Sequence, residues 1–417
     1  MIKNFSRIVT NNILFLFPIA IICLVSRVFP IISKLYYIAP FFLFLFIIAG
    51  IKEIKNNKIL RLFLIFTSTF ALWSLATSFW SLYPLISIMR GLYYLLITFG
   101  STLGSYLYLR KSKEINLNFL LYANILVVAL SLISLIFKVP NNSWIGGNGK
   151  GFMGFAGHQN TLGAVILFTM PASIWEIINK VSQKAKDKSK FKFKFDSILY
   201  LSLLILNFSF LILSYSRASI LSFFAGVTIY CLIIFKWKFI LISTIILLSL
   251  FFLLISNSFL GIETWSLLEK GYNDPFFTRR ILWVPSYKAA ECGGWIGLGY
   301  GISDPNIILT GTGSHFENGR YIREKGNSIL AIIEETGLIG LTLFLSPIIY
   351  VLYLCSKYYY KLKSKINYPK LFIPFILALL LHAQFEAWWV GVGSFELPLL
   401  FSIFALILFS SPQPQEV

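Results

Sequence analysis

Charge is what this sequence has least of. Only 13% of its 417 residues are charged, against 57% hydrophobic, and the mean hydropathy is +0.77. A soluble domain carries about a quarter of its residues as Asp, Glu, Lys or Arg. Each charge in lipid is expensive, so so little charge over so long a chain excludes an ordinary soluble fold and points to a polytopic membrane protein. Cysteine is also scarce: Cys23, Cys231, Cys292 and Cys355, three of them in or at the ends of apolar runs and no two in a CxxC pair. That excludes a disulfide framework and a zinc site. No repeat of solenoid length is visible, and no soluble domain is expected before or after the apolar block. Lys3 and Arg7 precede an apolar run as in a signal peptide. No small-residue cleavage site follows, so an uncleaved first helix is expected. The tail from Ser411 to Val417 is polar.

What the chain does have is apolar runs of membrane length. They fall at 12–29, 35–51, 62–80, 86–109, 116–137, 160–179, 197–215, 218–235, 239–257, 328–354, 371–390 and 395–411. A bilayer requires about 20 residues per helix. The runs lack strict alternation, which selects helices over a barrel. The expectation is an all-α fold: one membrane domain over 1–417, with about twelve transmembrane helices and one large loop, 258–327, between the ninth and tenth. Of the 36 Lys and Arg, 23 fall on the side that holds the N-terminus and the loops 52–61, 110–114, 180–196, 236–238 and 356–370. Positive charge marks the cytoplasmic side. Both termini are therefore expected in the cytoplasm and the large loop outside. The net charge of +19 is mostly this topology signal, so nucleic acid is not an expected partner. The run Lys180 to Lys194 reads as a topology anchor that also attracts anionic lipid.

Seven of the twelve outside cations lie in the large loop, and Arg320, Arg323 and Lys325 crowd the entrance to the tenth span. Positive charge there opposes the orientation set elsewhere, which suggests a function. Arginine's fixed fork of donors suits phosphate oxygens; pairing with Glu317 and Glu324 or with headgroups is the plainer alternative. Arg217 sits in SYSRAS, 214–219, at a short outer turn near membrane depth, where it needs an anionic partner. Snorkelling is its alternative. Arg90, near the outer end of the fourth span, either joins the same site or snorkels. The Gly-rich segment 146–160 allows close backbone approach to a ligand. Its end, His158 and Asn160, opens the sixth span, and a helix start favours anions. His158 reads as a capping residue before it reads as a catalyst.

Four stretches resemble the bacterial O-antigen ligase and O-antigen polymerase-like glycosyltransferases: GFAGHQN at 154–160, SYSRAS at 214–219, Arg279 to Trp283 followed by GLGYG at 297–301, and Asn327 to Gly340 with Glu335 two residues before Gly337. With the span layout, the resemblance covers most of the chain. It implies a GT-C-like bacterial inner-membrane enzyme of surface polysaccharide assembly, lipopolysaccharide included. The implied donor is a glycan on an undecaprenyl-type polyprenyl diphosphate, and the acceptor hydroxyl belongs to a glycan or lipid. No metal or cofactor is implied. Arg217 and Arg279 match the family's diphosphate-binding arginines, with Arg280 the alternative register and Arg320 and Arg323 in support. Asn327 and Asn160 are expected to position the acceptor or the loop. Many members have His before the Asn; here that position is Gly326, which points away from a standard lipopolysaccharide ligase. Glu335, Glu324 and His158 (and His315) are the candidates left for the base. The alternative is a proton-coupled transporter or flippase of lipid-linked sugars. It rests on His382 and Glu386, read as sharing one face of the eleventh span. A non-catalytic assembly subunit is a third reading.

Overall fold

Apolar runs without a free backbone partner in lipid close their hydrogen bonds within the segment, and helices result. The computed structural model describes residues 2–112, 117–140, 151–186, 195–234, 277–305, 315–317, 320–322, 324–361 and 368–410. In chain order the helices are α1 (Ile2–Asn11), α2 (Ile13–Ser26), α3 (Ala39–Asn56), α4 (Lys58–Ala76), α5 (Pro84–Ser112), α6 (Asn118–Phe137), α7 (Gln159–Thr169), α8 (Pro171–Lys186), α9 (Phe195–Leu213), α10 (Arg217–Ile234), α11 (Phe277–Gly293), α12 (Ser328–Lys361), α13 (Tyr368–His382) and α14 (Glu396–Ser410). Strands β1 (His315–Glu317) and β2 (Arg320–Ile322) form an antiparallel hairpin. Among the described residues, six helices are long and apolar enough to cross a membrane, and five shorter apolar helices accompany them.

Small residues set how closely these helices pack. A Cβ on Gly100 would lie 2.5 Å from Leu43 Cβ, and one on Gly104 2.7 Å from Phe17 and Phe46 ring atoms. These glycines let α5 lie directly against α2 and α3, as small residues do between membrane helices. One polar cluster inside the bundle joins several helices. Asn124 of α6 donates to Thr169 Oγ1 (2.9 Å) and Asn207 Oδ1 (2.8 Å) and accepts from Ser173 Oγ (2.8 Å). One amide thereby ties four helices together.

Two features position the loop after α11. Tyr300 is fully buried, with its ring 5.7 Å from Phe70, which in turn packs on Tyr94 (4.9 Å) and Phe344 (5.2 Å). Gly293 and Gly297 lie against α12, and Gly299 lies against Ser81 in the turn before α5. Leu298 N donates to Glu334 O at 2.9 Å and Gly299 N to Glu335 O at 3.0 Å. A Cβ on Gly297 (φ +80°) would be 2.4 Å from Glu335 O. On the other side, α12 breaks its helical geometry at Gly337 (φ 72°), where a Cβ would be 2.1 Å from Trp295 O. The repeated glycines thus serve backbone-to-backbone packing, which any side chain would block.

The expected ninth span, 239–257, lies outside the described residues, as does all of 258–276. The eleventh is shorter than expected. Hydropathy stays high to Val390, but the helix ends at His382 and residues 383–395 run as turns. His382 and Glu386 therefore do not share a helix face. One ends α13 and the other stands in the turn that follows.

Candidate functional site

Four helix starts meet the turn after α13. From α11, Arg279 Nη2 lies 2.8 Å from Glu386 Oε1, and Nη1 donates to the Phe385 carbonyl. From α7, Asn160 Nδ2 donates to the same Glu386 Oε1 at 3.2 Å. From α10, Ser219 Oγ lies 3.2 Å from His382 Nε2 and 2.9 Å from Ser216 Oγ. From α12, Ser328 N donates to Ala383 O (2.9 Å) and Ser328 Oγ to Glu386 O (2.7 Å). Asn327, the residue before α12, accepts from Leu330 N at 3.1 Å and donates to Gln384 O at 3.0 Å. Free N–H groups at a helix start carry partial positive charge and attract anions. Here Glu386 is the anion that lies among them.

Arg217 is half-buried at the first position of α10, directly between Ser216 and the Ser219 that meets His382. The turn before it is tightly set. Tyr215 takes a left-handed conformation (φ 53°), Ser216 N donates to Ser214 Oγ (3.2 Å), and Phe152 N reaches over to Leu213 O (2.7 Å). The described part of the Gly-rich segment is built against this turn: a Cβ on Gly151 would be 2.8 Å from Ser214 O. Arg217 and Arg279 are thus carried on helix starts that both contact residues 382–386. Arg280 is exposed on the outer side of the same turn of α11, so the register places Arg279 at the site.

The candidate bases separate. His158 caps α7, its Nδ1 accepting from Asn160 N at 3.1 Å. Glu324 is exposed, yet surrounding chain raises its pKa by desolvation, Glu386 adds to the rise, and Arg279 opposes it. Its carboxyl therefore senses the site's charges without a bond to them. Glu335 belongs elsewhere. It is buried, its Oε1 is 2.6 Å from Lys325 Nζ, and its Oε2 accepts from Gly301 N at 2.6 Å. Lys325 also meets Glu334 Oε2 (3.2 Å) and donates to Ile302 O (3.2 Å). Lys325, expected among the phosphate-binding cations, is instead buried as the partner of two carboxylates. Arg90 sides with this cluster, since a Cβ on Gly301 would touch its side chain. Arg320 lies on β2, His315 on β1, and Arg323 falls outside the described residues.

Gly326 has a steric reason. A Cβ there would lie 2.7 Å from Leu282 Cβ and 3.4 Å from Trp283 Cδ1, while Trp283 Nε1 donates to Gly326 O at 2.9 Å. This chain has no room for a histidine at that position without moving α11. The sequence reading missed Glu386 as part of the arginine site. Its only signal in the sequence is an ionisable residue in an apolar run, which reads as a proton path. No protein-family model and no curated protein matches the chain.

Proposed function

We propose that the chain is a glycosyltransferase of surface polysaccharide assembly, of the O-antigen ligase or polymerase type. In this reading it works at the outer face of the bacterial inner membrane, with both termini in the cytoplasm and a GT-C-like layout of about twelve spans. The donor is a glycan on a polyprenyl diphosphate, and the acceptor is a hydroxyl of a glycan or lipid. The observation that carries this reading is the meeting of four helix starts at one turn, α11 bringing Arg279 and α10 bearing Arg217 at its first position. Positive charge fixed in place before the reaction stabilises a diphosphate as its charge develops on leaving. The same arrangement holds the acceptor near the anomeric carbon through the chain between Gly326 and Ser328. The packing of Gly326 against Leu282 favours a polymerase over a ligase that takes its base from that position.

The break of α13 at His382, with Glu386 in the turn beyond, favours the transporter as the second reading, because transporters place ionisable groups at interrupted helices. Purified protein in liposomes with a polyprenyl-diphosphate glycan separates the two. Glycan transfer and release of lipid diphosphate without an ion gradient support the enzyme. Gradient-driven movement of the intact donor across the bilayer, with no transfer, would replace it with the transporter.

A further inference from the structure

We propose that Glu386 is the general base of this transfer, held in reserve by Arg279 and released when the donor's diphosphate takes the guanidinium. The inference rests on the glycosyltransferase reading and names a catalytic residue within it.

Glu386 is the carboxylate bonded to Arg279, at 2.8 Å, and Asn160 holds the same oxygen at 3.2 Å. Its backbone carbonyl is fixed by Ser328 Oγ at 2.7 Å, and Phe385 beside it packs on Trp283 with rings 5.8 Å apart. The carboxylate is thus placed by three helices, α7, α11 and α12, rather than by a loop of its own. It is also reachable: the Glu386 side chain is 27% exposed and that of Arg279 15%, against 2% for Glu335 and 7% for Lys325. A pair partly open to its surroundings exchanges partners at far less cost than a sealed one. A diphosphate offers the guanidinium two or more oxygens where Glu386 Oε1 offers one, and planar bidentate recognition favours the phosphate.

The exchange leaves a carboxylate that has lost its cation and stands beside a new anion. Taking a proton relieves that repulsion. The acceptor hydroxyl supplies the proton as its oxygen forms a bond to the anomeric carbon. The bond from that carbon to the diphosphate oxygen breaks, its electron pair stays on the diphosphate, and Arg279 and the helix starts hold the added charge. Glu386 ends protonated, and the lipid diphosphate leaves as an anion. Donor binding and base release are then one event, so the carboxylate is not free before the substrate is in place. Other carboxylates fit less well. Glu335 is committed to Lys325 and Gly301 N. Glu324 is exposed and makes no bond to Arg279.

The test uses full-length protein in liposomes with a polyprenyl-diphosphate glycan donor, comparing wild type, Glu386→Gln and Glu386→Ala. In Glu386→Gln, kcat falls about 100-fold or more, while KM for the donor is unchanged or lower, because the competitor for Arg279 has been weakened. Formate restores part of the rate of Glu386→Ala. Binding of the lipid diphosphate by both variants shows that they are folded. Wild-type kcat in Glu386→Gln overturns the proposal. So does loss of kcat together with a raised donor KM and no rescue by formate, which marks a structural carboxylate. A wild-type protein that transfers nothing removes the glycosyltransferase reading itself, a result distinct from an active wild type with a dispensable Glu386.

Discussion

Two ionic clusters flank Gly326, and they are built to opposite ends. On one side Lys325 is sealed between Glu334 and Glu335, whose side chains are 0% and 2% exposed. Backbone N–H groups of Gly301 and Asp304 satisfy the remaining oxygens, at 2.6 and 2.9 Å. On the other side Asn327 leads to Arg279 and Glu386, a single partly open pair where helix starts meet. The first cluster staples the Gly-rich loop to α12 and holds still. The second has groups that a ligand can take over. A charged pair's role is therefore read from its enclosure and remaining partners rather than from its residue types.

The comparison predicts unequal responses to substitution. Lys325→Met leaves two buried carboxylates without their shared cation and should destabilise the fold by about 3–5 kcal/mol. Thermal unfolding in detergent, or the yield of monodisperse protein, reads it. Arg279→Ala should leave unfolding within about 1 kcal/mol of wild type, as partly exposed pairs do, while abolishing transfer. Equal stability losses in the two variants would erase the distinction between the clusters. Gly326→His restores the family residue but presses on Leu282. Overpacking of this kind costs about 1–3 kcal/mol, and transfer should fall rather than rise. Asn327→Ala removes the α12 cap and the bond to Gln384, and about 1 kcal/mol is expected. The smallest effect is at Glu324. Its raised pKa means that the folded protein binds a proton there more readily than the unfolded chain. Stability at this group therefore falls as pH rises above the ordinary carboxylate range. Glu324→Gln should remove that pH dependence and, at an exposed position, shift stability by no more than about 0.5 kcal/mol.

The helical, membrane-length character of the chain was legible because hydropathy and low charge report burial directly. The helix ends were less so. Apolar character continues through Trp388, Trp389 and Val390, which are buried in turns rather than in a helix. Hydropathy cannot separate those two kinds of burial, so from the sequence Glu386 reads as lying on a helix face. Arg217, Arg279, Asn160 and Asn327 were legible as a group because helix starts and arginines at apolar boundaries signal anions. The pairing of Lys325 with Glu335 is not legible in the sequence for a related reason. Charges ten residues apart in sequence gave no sign that a turn would bury one on the other. GLGYG reads from the sequence only as part of a resemblance; in the structure Gly297 packs on α12 and Gly299 on Ser81.

The central claim is that Arg279 and the helix starts around it hold a lipid diphosphate. The most direct test is equilibrium binding of the bare polyprenyl diphosphate to wild type and Arg279→Ala in nanodiscs, with unfolding temperatures matched. The account predicts micromolar-range binding by wild type and about a 100-fold loss in the variant, the equivalent of about 2.7 kcal/mol. Equal affinity in the two proteins would contradict it.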